Sequence, residues 1–158
     1  MTVDMSPDRV PASLPTPGNE LRRLPLRHNS VGHLVLTGEI EGKSVNLLLD
    51  TGASNTILDV EWCRSQRIAL VDTGRRGGGA GGVQLPIYAL GAEQLSIGGA
   101  ALRSHSVLAV DMSHINYGLT FNGADPAEGV LGSDVLAAHD AVIDYRTQSL
   151  FLRGPSAR

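Results

Sequence analysis

The sequence predicts a mainly β domain. Short apolar runs with two-residue alternation recur between turn residues, and no long amphipathic helical run interrupts them. Glycine is frequent, at 19 of 158 residues, which suits many tight turns. Aromatic residues make up only 4% against 42% hydrophobic residues, so the core must be aliphatic. The length suits one domain.

The elements follow in order. Residues 1–28 hold Pro7, Pro11, Pro15, Pro17 and Pro25 and read as a flexible arm. A folded domain over 29–154 and a short tail over 155–158 complete the chain. From Val31, "VGHLVLTGEIEGKSVNLLLD" gives two strands about a turn at Glu41-Gly42-Lys43. Val45, Leu47 and Leu49 alternate with Asn46 and Leu48, so the second strand should be covered on both faces near its end. "SNTILD" is a short strand, and Asp59 is placed to cap a short helix over "VEWCRSQR". "IALV" and "VQLPIYAL" are strands on either side of "RRGGGAGG", with Val83, Leu85, Ile87 and Ala89 on one face. "EQLSIGG" and "LRSHSVLAVDM" suggest a hairpin about Gly98-Gly99. "SHINYGLTFNGADPAE" reads as a loop with a turn at Asn122-Gly123. "GVLG" is an apolar segment between glycines. "SDVLAAHD" is a short helix capped by Ser133, and "AVIDY" with "SLFLR" closes the domain as a hairpin. That makes about ten strands and two helices.

Charge and cysteine content narrow the functions available. The net charge is -3 and no basic block exceeds two residues, which argues against nucleic acid as a partner. The single cysteine, Cys63, excludes an internal disulfide and a cysteine-rich zinc site. None of the five histidines shows metal-ligand spacing with a carboxylate motif, and no cofactor is implied. No stretch has the apolar length of a membrane span. The first residues carry no apolar signal core and read as a cytoplasmic start. The alternative is a periplasmic or membrane-anchored parent trimmed of its targeting segment.

Chemistry concentrates in "NLLLDTGASNTILD", residues 46–59. An apolar strand ends in Asp50, the chain turns through Thr51 and Gly52, and apolar residues resume. A carboxylate at a strand end in a turn of small residues can be held by backbone N–H groups while the backbone stays close to a ligand. One carboxylate alone hydrolyses a peptide poorly. Two close together cannot both ionise, so one can act as base and the other as acid. An ordinary Asx turn between strands is the bland alternative.

"LLLDTGASNTILD" resembles the active-site stretch of the retropepsin-like aspartic proteases, most closely their bacterial single-domain branch. "EGVLGSDVLAAHDAVIDYRTQSLFL" is similar to the family's later apolar-Gly segment, helix and terminal hairpin, and "GGGAGGVQLPIYAL" lies where the family has its flap. The resemblance spans roughly Val31 to Arg153. It implies a closed β barrel of the acid protease type with one or two short helices and a flap hairpin. It also implies that Asp50 is catalytic, with Thr51 and Gly52 as the supporting turn and the threonines of two subunits gripping each other. Ala53, Ser54, Asn55, Gly79, Ala80, Gly81, Gly82, Val130 and Leu131 fall where substrate is bound. The implied partners are a polypeptide substrate and a second copy of the chain.

A second triplet, Asp72-Thr73-Gly74, follows after one short helix, leaving no room for a second lobe. Charged and glycine-rich residues come after it, so it reads as a turn leading to the flap. The chain therefore offers one catalytic carboxylate, and a working site needs two chains. Retroviral members pair an acidic residue after the Ala with an Arg after the later Gly. Here those positions are Ser54 and Ser133, so both partners are absent together and no charge is orphaned. Gly77, Gly79 and Gly82 fit a dinucleotide pattern, but a strand follows them where that motif opens a helix. A non-proteolytic peptide-binding or dimerisation module of the same fold is the second reading.

Overall fold

A computed structural model of the chain describes residues 21–78, 82–91, 95–102 and 107–154. The first pair of strands, β1 (Leu21–Pro25) and β2 (Arg27–His28), precedes β3 (Leu34–Ile40) and β4 (Lys43–Leu49). Next come β5 (Ile57–Asp59), α1 (Val60–Ser65), β6 (Leu70–Gly78) and β7 (Gln84–Leu90). The second half holds β8 (Leu95–Ile97), β9 (Ala100–Ala101), β10 (Leu108–Val110), α2 (Ser113–Phe121) and β11 (Gly129–Leu131). Finally, α3 (Ser133–Ala138) leads into β12 (Val142–Asp144) and β13 (Ser149–Arg153).

The mainly β expectation holds. The closed barrel does not: the larger sheet is an open path, β6-β7-β10-β5-β11-β4-β3-β8-β9, with β2 on β3. A second sheet of order β1-β13-β12 pairs the first described strand with the last. Residues 21–28, expected in the arm, are strands of the domain. Leu24 and Leu26 are buried, and β1 lies at a sheet edge, where Pro25 forfeits no ladder bond. Residues 1–20 and 155–158 lie outside the described residues.

Alternation builds the core. Leu34, Leu36, Ile40, Val45 and Leu47 are buried from β3 and β4, and β5, β8, β11, α3 and β13 add Leu58, Leu95, Ile97, Leu131, Val135, Leu150 and Leu152. Leu48 turns to a smaller cluster with Met112, Leu119 and Val130, while Leu49 packs on the main core, so the end of β4 is covered on both faces. The turn at Glu41-Gly42 places both residues at positive φ, and the β8–β9 hairpin turns through Gly98 and Gly99 in the same way.

One feature of the topology determines the site. β4 and β5 are consecutive in the chain, yet β11 lies between them, parallel to β4 and antiparallel to β5. The chain must cross over the end of β11 to get from one to the other. This requires close backbone approach. A Cβ on Gly129 would stand 2.7 Å from the Ile57 carbonyl oxygen, and one on Gly132 would stand 2.7 Å from that of Ala53. The glycines flanking "GVLG" are therefore steric requirements of the crossing.

Among the described residues three helices stand where two were expected. "SHINYGLTF" is helical as α2, and the turn at Asn122-Gly123 follows it with Gly123 at φ 83°. The Asp111 carboxylate accepts the Ser113 N–H at 2.8 Å at its start. The Asn116 side chain clamps it from the far side, donating to the Ala127 carbonyl (3.0 Å) and accepting the Ala127 N–H (2.7 Å). Gly132, not Ser133, occupies the cap position of α3, because the crossing needs glycine there. Asp59 occupies the cap position of α1, but its carboxylate accepts the Met112 N–H at 3.1 Å instead of bonding its own helix.

Candidate active site

Asp50 is the first residue past β4. Its N–H donates to the Leu131 carbonyl of β11 at 3.0 Å, and its carboxylate accepts the Gly52 N–H at 2.9 Å. Ala53 N–H closes the turn on the Asp50 carbonyl at 3.2 Å. Asp50, Thr51 and Gly52 are all exposed, so the carboxylate is held by backbone and open to solvent.

The far limb of the turn is anchored by a buried hydrogen-bond network. Thr56 is wholly buried. Its N–H and hydroxyl both donate to the Asp134 carboxylate, at 3.0 and 2.8 Å, while the hydroxyl accepts the Gly132 N–H at 3.0 Å. Ser133 N–H adds a bond to the Ala53 carbonyl at 2.7 Å. The crossing loop is thus tied to the start of α3 by four hydrogen bonds, one pair to a charged acceptor. The signal was present in the sequence: a lone threonine opens an apolar strand, and an aspartate sits in the first turn of a helix.

Asp50 lies at one side of a cleft of about 620 Å³. Val31 and His33 line one wall, Leu48, Leu49 and Val130 the floor, and His114, Ile115, Gly118 and Leu119 of α2, with Asn122 just past it, the other wall. Asn29 organises the first wall, its side-chain oxygen accepting the Val31 and His33 N–H groups at 3.1 and 2.9 Å. Ser30 Oγ donates to the Gly123 carbonyl at 2.9 Å and so joins this loop to the end of α2. Among the described residues Asp50 is the one acidic side chain lining the cleft.

Of the other residues expected to meet substrate, Val130 lines the cleft. Leu131 does not: it is fully buried, and its carbonyl holds Asp50 instead. Ser54 and Asn55 are exposed on the crossing loop, and Ala53 is half-buried against the smaller cluster. Gly82, shortly before β7, has φ 78°, while Gly79, Ala80 and Gly81 lie outside the described residues. The walls built from Val31, His33 and α2 were not foreseen.

The second triplet repeats the local chemistry of the first. Asp72 accepts the Gly74 N–H at 2.8 Å, as Asp50 accepts that of Gly52. Its setting differs. Thr73 Oγ1 donates to the Ile87 carbonyl at 2.7 Å, and the register of β6 on β7 slips between Asp72 and Arg76. The triplet is a β-bulge within a strand, not the turn expected there. The Asp-Thr-Gly turn is therefore generic, and what distinguishes Asp50 is the cleft and the β11 crossing beneath it.

A profile of the aspartyl protease family matches residues 36–135, which include β4, the Asp50 turn and β11. The chain belongs to the aspartyl protease family. Among solved structures it is similar to a retropepsin-like aspartic protease from Rickettsia conorii (TM-score 0.56, 17% identity, covering 88% of this chain and 96% of that one). It is also similar to the retroviral protease-like domain of Ddi1 from Leishmania major (TM-score 0.51, 16% identity, 80% and 94% coverage). No curated protein sequence matches it significantly. At these identities the likeness speaks for the fold, which is retropepsin-like. No helix among the described residues is long and apolar enough to cross a membrane.

Proposed function

We propose that two copies of this aspartyl protease family chain form an endopeptidase whose site is a pair of Asp50 carboxylates. The observation that carries the reading is the solitary, exposed Asp50 at the edge of a peptide-sized cleft, on a turn locked from beneath by β11 and α3. A second copy, related by a twofold axis, supplies the missing carboxylate. Two such groups share one proton. The ionised one takes a proton from a bound water, whose oxygen attacks the scissile carbonyl carbon. The protonated one donates to the carbonyl oxygen. Collapse of the tetrahedral adduct then returns a proton to the departing amine nitrogen as the C–N bond breaks.

Thr51 and Gly52 support the turn, with Thr51 exposed for contact with the second copy. Ala53, Ser54, Asn55 and Val130 flank the substrate. The β6–β7 hairpin serves as a flap over it, and Gly79, Ala80, Gly81 and Gly82, which lie between those two strands in the sequence, are assigned to substrate binding. Cleavage of an unbiased peptide library by wild type, by Asp50→Asn and in the presence of a statine-type inhibitor tests this. Activity lost in both controls supports it; activity that survives Asp50→Asn refutes it.

The isolation of Asp50 within one chain also favours a second reading, a peptide-binding or dimerisation module that retains the fold without hydrolysis. A folded protein that binds peptides equally well as wild type and Asp50→Asn, and cuts none, would establish that reading instead.

A further inference from the structure

We infer that the cleft beside Asp50 selects polypeptides with an acidic side chain, whose carboxylate is held between His33 on one wall and His114 on the other. The inference rests on the reading of this cleft as a peptide site and concerns which peptide it takes. Both histidines line the cleft and both are exposed. Among the described residues no Lys or Arg joins them in the lining, so the two imidazoles are the side chains there that can carry positive charge. The floor of Leu48, Leu49 and Val130 offers a carboxylate no other side-chain donor. No three His, Cys, Asp or Glu side chains among the described residues gather as a metal-binding group, which favours an anion as the partner of the pair.

Each histidine is carried by a braced segment. His33 closes a tight loop: its N–H donates to the Asn29 side-chain oxygen and its carbonyl accepts the Asn29 N–H, both at 2.9 Å, and Gly32 turns the chain at φ 87°. His114 is the second residue of α2, whose start is fixed by Asp59 and Asp111. Ser30 Oγ, donating to the Gly123 carbonyl, links the two walls directly. A gap set by the protein reduces the ordering that binding must overcome. Among the described residues neither ring has a hydrogen bond or an ion pair. The charged group beside His114 is Asp111, which does not line the cleft. Its carboxyl is held below the usual carboxylate range chiefly by the Ser113 N–H and hydroxyl, with a smaller contribution from His114. Asp50 shares the cleft with both histidines, and its carboxylate is engaged by the Gly52 N–H. A substrate carboxylate has two oxygens and can accept from both walls at once. Charged donors hold it about twice as strongly as neutral ones, and histidine is the side chain that gains charge as pH falls from 8 to 5.

The test measures binding, so that it does not depend on hydrolysis. The Asp50→Asn protein is titrated into fluorescently labelled peptides in which Glu is moved through each position of a Leu/Ala/Ser background, with Gln counterparts, in low salt at about pH 5.5 and about pH 8. A peptide glutamate is ionised at both. With Glu at the position that meets the histidines, binding at about pH 5.5 should be roughly fivefold tighter than with Gln, and the advantage should vanish at about pH 8. His33→Gln and His114→Gln should each reduce it and the double variant should abolish it, while the Gln peptides change little. Both residues are on the surface, so the variants should keep the wild-type circular dichroism spectrum. Equal affinity for Glu and Gln at every position, or an advantage that survives the double substitution, would overturn the inference and leave the cleft as a peptide site. Failure of every peptide to bind would overturn both. Peptides that bind as stated to a wild-type protein that cuts none would leave the role of the histidines standing and remove the proteolytic reading.

Discussion

Replacing Thr56 by valine keeps the shape of a fully buried side chain and removes only its hydroxyl. Two interactions go with it. The hydroxyl donates to the Asp134 carboxylate at 2.8 Å and accepts the Gly132 N–H at 3.0 Å. A hydrogen bond to a charged group contributes about 1.5–3 kcal/mol, and a buried N–H left unpaired costs about 1–3 kcal/mol. The two share one atom and do not simply add, so Thr56→Val should cost about 3–5 kcal/mol. With a urea m-value of about 1–3 kcal/mol/M, the midpoint should fall by roughly 2 M. Thr56→Ser keeps the hydroxyl and loses one methyl, at a cost of about 1 kcal/mol. Urea unfolding followed by tryptophan fluorescence, with Trp62 as the reporter, measures both. A Thr56→Val protein within about 1 kcal/mol of wild type, or one no worse than Thr56→Ser, would refute the idea that this network holds the Asp50 turn.

Other expectations follow from the same geometry. Gly129→Ala, whose Cβ would lie 2.7 Å from a backbone carbonyl, should fail to yield soluble folded protein. Gly78→Ala, with nothing within 4 Å, should stay within about 1 kcal/mol of wild type in thermal melts. Burial, reinforced by the charge of Asp59, pushes the Cys63 thiol from 9.0 up to about 11. Because the folded value exceeds the unfolded one, this contribution of roughly 2–3 kcal/mol is complete below pH ~9 and is lost as pH rises toward ~11. Cys63→Ala should flatten that part of the stability-pH curve, and an unchanged alkaline slope would contradict it. Asp144 is held below the usual carboxylate range by the Thr147 hydroxyl, so its support of the β12–β13 turn should be present above about pH 4 and fade as pH falls further. An NMR titration in which Asp144 protonates at or above the ordinary carboxylate value would refute this.

The strands were legible because two-residue alternation survives in the residues themselves, as in β3, β4 and β13. The Asp50 turn was legible because strand, Asp-Thr-Gly and strand are contiguous. What escaped was decided by contacts distant in sequence. α2 contains Gly118, two asparagines if its flank is counted, and the β-branched Ile115 and Thr120, all poor helix formers. It is helical because Asn116, Asp111 and buried Leu119 hold it in place. The strand β1 was hidden by its proline, since Pro25 reads as a breaker until the edge position is known. The cleft walls joined Val31, His33 and α2, which lie far apart in the chain, so no local pattern could bring them together. The barrel was an expectation from the resemblance, and its openness here follows from strand pairings that no single segment specifies.

The central claim is that each site needs one Asp50 from each of two chains. Mixing wild type with Asp50→Asn at equal concentration, after unfolding and refolding together, tests it most directly. If paired carboxylates are required, random pairing leaves about a quarter of the sites with two aspartates, and activity should fall to about that fraction of an all-wild-type sample at the same total concentration. Activity that remains at one half, in simple proportion to the wild-type chains present, would mean that a single chain suffices.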